Sequence, residues 1–115
     1  MSQLFYEQVA QESPRNLRST ERRALEVAIG KLMRARDAGV LTPEAFEATA
    51  LLRRIWTIFM TDLAHPENAL EERTRASLIS IGMWIQAELD RLDAGQSKNF
   101  SGLIDINQII ADGLA

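Results

Sequence analysis

Apolar positions recur along this chain at spacings of three and four, and alternation of apolar with polar residues never lasts. That is the helical period, about 100° per residue, and no strand pattern competes with it. Residues 2–11 read as a first short helix with Phe5, Tyr6, Val9 and Ala10 on one side. Ser13-Pro14 opens a second, because proline lacks the amide hydrogen that a first turn leaves unpaired. From 14 to 38, Leu17, Ala24, Leu25, Ala28, Ile29, Leu32 and Ala35 form one stripe, with Arg23, Glu26, Lys31, Arg34 and Asp37 on the other side. Gly39 ends this helix, with Arg34 and Arg36 in its last turn, where cations suit the dipole.

Thr42-Pro43-Glu44 supplies a cap, a first-turn proline and an early carboxylate, so a third helix runs from there to about residue 63. Its apolar residues, from Leu51 and Leu52 through Ile55, Trp56, Ile58, Phe59 and Met60 to Leu63, spread over roughly 200° of the helix surface. Such a helix is central, touched by neighbours on two sides. His65-Pro66-Glu67 is a connection, and Asn68 with Glu71 has capping-box spacing. The fourth helix carries Leu70, Leu78, Ile81, Trp84, Ile85, Leu89 and Leu92 as its main stripe, with Ile79 and Met83 on the opposite side, and Gly95 stops it. After a polar linker, Ser101 caps a short last helix with Leu103, Ile106, Ile109, Ile110 and Leu114 inward and Ile104 outward. The pattern predicts an all-α antiparallel bundle of four main helices plus a short C-terminal helix. It forms one domain, 1–115, with Trp56, Trp84, Ile85 and Ile106 as core anchors.

Composition narrows the functional classes. With 115 residues, 46% of them hydrophobic and 25% charged, the chain is long enough for one core and is not of the disordered kind. Thirteen basic against sixteen acidic residues give a net charge of -3, which argues against non-specific nucleic-acid binding. There is no cysteine, hence no disulfide and no thiolate metal site. No apolar run approaches the roughly 18 to 20 residues that span a membrane. The start MSQLFYEQVAQE has no basic region and no long apolar middle, so it is not a secretory signal, and the expected location is cytoplasmic.

Catalytic chemistry finds little footing. Asp62 and His65 stand three residues apart at a helix end, where a carboxylate could orient an imidazole. His65 is however the only histidine, and no nucleophile motif or glycine-rich phosphate loop accompanies it. The expectation is no enzyme, no metal and no cofactor. Asp62 itself is odd, a negative charge near a helix C-terminus. Either it caps the turn into Ala64-His65, or an arginine pairs with it. Arg15, Arg18, Arg22 and Arg23 form a basic face, but the third helix exposes too few polar readers for a recognition helix. Partner binding is left. Leu4, Val27, Ile79, Met83 and Ile104 fall off the main stripes, and if several join into one patch they mark a site for a partner segment.

Three stretches carry a resemblance. They are Ser13-Pro14-Arg15 followed by Glu21; Arg53-Arg54-Ile55-Trp56-Thr57 with Asp62 and then Asn68-Ala69-Leu70; and the ending from Ile104-Asp105-Ile106-Asn107 to Gly113-Leu114. Together, in order and over nearly the whole chain, they resemble the FlaF family of flagellar biosynthesis regulators. Two positions depart from that family's pattern: Leu52 stands where an asparagine is expected, and Leu70-Glu71 where Leu-Pro is expected. The resemblance implies a flagellin-binding secretion chaperone that promotes flagellin export and filament assembly. Implied partners are flagellin, the FlbT-family regulator and the flagellar export apparatus, with no membrane. An alternative is a post-transcriptional regulator that contacts flagellin messenger RNA through the arginine cluster.

Overall fold

The computed structural model describes the backbone of residues 14–114 and the side chains of residues 20–114. The helix expected at 2–11, and Leu4 with it, lies outside the described residues. Four helices follow in order: α1 (Pro14–Ala38), α2 (Pro43–Ala64), α3 (Glu72–Asp93) and α4 (Phe100–Gly113). No strand occurs among the described residues.

Local chemistry sets most of the ends. Gly39 takes a φ of 100°, in the left-handed region glycine favours, and its N–H closes on the Ala35 carbonyl at 2.8 Å. Thr42 caps α2: its hydroxyl oxygen accepts from the Ala45 amide at 3.2 Å while its hydroxyl donates to the Gly39 carbonyl at 2.7 Å. Past α3, the Gln96 amide reaches back to the Arg91 carbonyl around the left-handed Gly95.

Two caps differ from expectation. Asn68 does not cap α3, which starts four residues later; Glu71 holds the N-cap position without a side-chain bond. The Asn68 Nδ2 instead donates to the Asp62 carbonyl at 3.0 Å, and its Oδ1 accepts from the Leu70 amide at 3.0 Å. Asn68 therefore serves the end of α2 and turns the connection locally, a competing use of an Asx side chain. At α4 the cap is Asn99, not Ser101: Asn99 Oδ1 accepts from the Gly102 amide at 3.0 Å. Gly102 permits this, because a Cβ there would lie 2.9 Å or less from the Asn99 side chain.

α1 packs on α2 and on α4, and α2 packs on α3. Ala28 and Ala35 of α1 and Ala45 and Ala48 of α2 are buried, and such small side chains let two helix axes approach. Leu25, Leu32, Leu52, Ile85, Leu89 and Leu103 fill the space between. Each fully buried side chain of this kind contributes roughly 1.5–3 kcal/mol. Trp56 is buried at the centre, and its indole Nε1 donates to Asn107 Oδ1 at 2.8 Å. Asn107 is itself buried and donates its Nδ2 to the Leu103 carbonyl at 2.8 Å. Phe59 meets Trp56 edge-on, with ring centroids 5.4 Å apart.

The seam between α2 and α3 is partly polar. Thr49 is paired with Asp93 at 2.7 Å, Arg53 with Asp90 at 2.7 Å and with Asp93 at 3.0 Å, and Gln86 with Thr57 at 3.4 Å. As positions rise along α2 they fall along α3. Further along, Gly82 lies where α2 comes closest: a Cβ there would overlap the Met60 thioether and stand 3.1 Å from Trp56 Cε3.

Three assignments of facing are corrected. Trp84 is 44% exposed rather than a core anchor. The buried residues of α3 are Gly82, Ile85, Glu88, Leu89 and Leu92, and Trp84, turned about 100° from Ile85, falls on the flank of that face. Ile104 is buried at 6% and Ile109 is 65% exposed, the reverse of the expectation. The buried face of α4 is defined by Phe100, Leu103, Ile104, Asn107 and Ala111, and the polar Asn107 at its centre hid that face from a count of apolar residues. Ile106 is half-buried against the core.

Trp56→Ala is expected to lower stability by about 3–5 kcal/mol, read by denaturant unfolding. Asn107→Leu is expected to cost about 1–3 kcal/mol, because it strands a buried indole N–H. Arg53→Met is expected to cost about 1 kcal/mol at low salt, given the partial exposure of its ion pairs, and the difference should shrink as salt is raised.

Candidate functional site

The off-stripe apolar residues do not assemble as one patch. Val27 is 49% exposed on α1 and Met83 62% exposed on α3, two helices that are not a closely packed pair. Ile79 is half-buried, and Ile104 belongs to the core. Only half of the expected basic face has described side chains. Arg15 and Arg18 fall on the first turns of α1, outside the residues with described side chains. Arg22 donates to Glu26 at 3.0 Å within α1, and Arg23 is exposed.

Asp62 and His65 are not joined through their side chains. His65 Nδ1 accepts from the Glu67 amide at 3.1 Å, while the Asp62 carboxylate receives Asn68 Nδ2 at 3.3 Å. The capping reading of Asp62 has geometry behind it: its carbonyl accepts from the His65 amide at 3.1 Å and from Asn68. Arg53 fastens α2 to α3, whereas Arg54 is exposed. On the α1–α2 side, Lys31 is paired with Glu47, and the Lys31 hydrogen bond, followed by its charge, holds the Glu47 carboxyl below its ordinary pKa.

Tertiary packing instead creates several apolar depressions among the described residues. One lies beside the Trp56–Phe59 pair. Leu63, Leu78, Ile110 and Leu114 line it, and Glu21 and Asp62 stand at its polar margin. A neighbouring hollow on the other side of Phe59 is lined by Ala24, Ile55 and Ile58, with Arg54 at its edge.

A further depression lies between α3 and α4 and is lined by Ser80, Ile81, Trp84 and Ile106. Ile109, one turn beyond Ile106, is 65% exposed. Asp105 and Asp112 are exposed on α4, which carries no basic residue. Glu88, one turn past Trp84, is 5% exposed; its Oε1 has no hydrogen-bond partner among the described residues and its Oε2 lies 3.8 Å from Arg91 Nη1. Sequence reading passed over both features. Glu88 falls at helical spacing from Ile81 and Trp84.

None of the four helices is long and apolar enough to cross a membrane. No curated protein and no solved structure matches the chain. A family model described as flagellar protein FlaF matches residues 2–114. That match spans all four helices, including the Arg53–Trp56 block and the α4 segment around Asn107, and the chain belongs to the flagellar protein FlaF family.

Proposed function

We propose that this chain is a non-enzymatic flagellin-binding export chaperone and regulator that works in the cytoplasm as a single antiparallel helical-bundle domain. The observation that carries the reading is the half-exposed Trp84 beside Ile81 and Ile106, on a chain of a flagellar family. An exposed tryptophan over a shallow apolar hollow is the common form of an interface anchor. A flagellin end segment that is amphipathic must be kept from self-association before export, and a surface hollow between two helices offers its apolar side a place to lie. Ordering such a segment takes back several kcal/mol of the contact energy, which suits a chaperone that must release its cargo. Association with an FlbT-family regulator and with the export apparatus belongs to the same proposal. Direct RNA contact through the arginines has less support, since Arg22 is already paired within its own helix.

Calorimetric titration of the full chain with purified monomeric flagellin tests this. Saturable binding with a micromolar dissociation constant is expected. Absence of binding at tens of micromolar overturns it.

A further inference from the structure

The early turns of α1, the end of α2, the start of α3 and the end of α4 meet at one end of the bundle. The hollow beside Trp56 opens there, between Phe59 and Leu63 of α2, Leu70 of the connection, Leu78 of α3, and Ile110 and Leu114 of α4. Leu70 is 44% exposed, and Phe59, Leu78, Ile110 and Leu114 are half-buried. Glu21 of α1 stands at the margin, and Thr20 and Glu21 border the adjoining hollow across Phe59. α1 begins at Pro14, seven residues before Glu21. That is about 10 Å of helix. The chain thus enters the fold next to this hollow, whereas no residue of α1 lines the α3–α4 hollow.

The sequence ahead of Pro14 matches the place. At the helical period Phe5, Tyr6, Val9 and Ala10 fall within an arc of roughly 140°, and Glu7, Gln8 and Gln11 fall outside it. An isolated helix shorter than about 12–15 residues is marginal in water, so residues 2–11 need a surface to pack on. A residue before proline is disfavoured in the α region, so Ser13-Pro14 is a joint at which this stretch can turn back from the axis of α1. A joint this short gives an effective concentration on the order of millimolar, roughly a thousandfold above that of a free segment at micromolar level.

We propose that the occupant of the hollow beside Trp56 is the chain's own stretch 2–11, seated as a helix with Phe5, Tyr6, Val9 and Ala10 turned into it. The stretch closes this end of the bundle, and a partner's apolar segment reaches the hollow only by displacing it. None of Ser80, Ile81, Trp84 and Ile106 lines this hollow, so the α3–α4 face stays open.

The full chain tests this directly. It has no cysteine, so Gln8→Cys gives a single attachment point for a nitroxide on the polar side of the stretch. Paramagnetic line broadening is then read on isotope-labelled leucine and isoleucine methyl groups in dilute solution. Leu63, Leu78, Ile110 and Leu114 are expected to lose most of their signal. Leu41 and Leu92, at the other end of the bundle, are expected to keep theirs. Adding Phe5→Asp and Val9→Asp to the labelled chain is expected to abolish the broadening and to leave the Leu41 and Leu92 signals in place. Broadening that is absent, that spreads equally to Leu41 and Leu92, or that survives the two aspartates overturns the proposal. A mixture of nitroxide-bearing chain and isotope-labelled parent reports contact between molecules. Broadening of the hollow in that mixture as strong as within one chain also overturns it, because the occupant is then a second copy. These readings use no flagellin, so they hold or fail separately from the export-chaperone reading.

Discussion

The hydrogen bond from the Trp56 indole to Asn107 ties the two halves of this fold together. Trp56 comes from the middle of α2 and Asn107 from the middle of α4, so the bond fixes the rotation of one helix against the other. A buried indole N–H needs an acceptor, and a buried amide needs both its groups used. Asn107 meets both demands at once, accepting from Trp56 and donating to Leu103. Once that register holds, Leu103, Ile104 and Ala111 face the core, Ile106 is half-buried beside α3, and Ile109 is exposed. The candidate binding face is in this sense a consequence of a polar constraint in the core.

The α2–α3 seam works by a different device. Arg53 spans Asp90 and Asp93, Thr49 shares Asp93, and Gly82 admits Met60 and Trp56 at the far end. Polar pairs set the register at one end and close apolar approach sets it at the other. That arrangement turns Ile85 and Leu89 inward and leaves Trp84 on the flank. The Arg-Arg-apolar-Trp block that gives the sequence its family likeness is therefore structural at two of its positions. Arg53 fastens α3 to α2 and Trp56 bonds to α4, while Arg54 stays at the surface.

A family of flagellar proteins, a helical fold and an apolar hollow with a half-exposed tryptophan form a coherent set. The fold supplies rigidity through its core, and among the described residues the buried Oε1 of Glu88 is left without a hydrogen-bond partner. Core residues serve packing, and irregularities that a fold retains at its surface are where function is sought.

The sequence by itself determined that the chain is helical, and it determined most helix ends. Those are local matters: the three-and-four period, the prolines at 14 and 43, the Thr42 cap, and the left-handed glycines at 39 and 95 act within a few residues. It also determined the family, through blocks spread along the chain. Tertiary structure alone decided which flank of a broad apolar stripe is covered. Trp84 and Ile85 are neighbours in sequence and equally apolar, and only the placement of α2 and α4 separates them. Asn68 and Asn99 show the same limit at shorter range, since each has several backbone groups in reach and the surrounding turn chooses among them. Facing depends on contacts between residues far apart in the chain, such as Trp56 with Asn107, and a helical period carries no information about which distant partner will arrive.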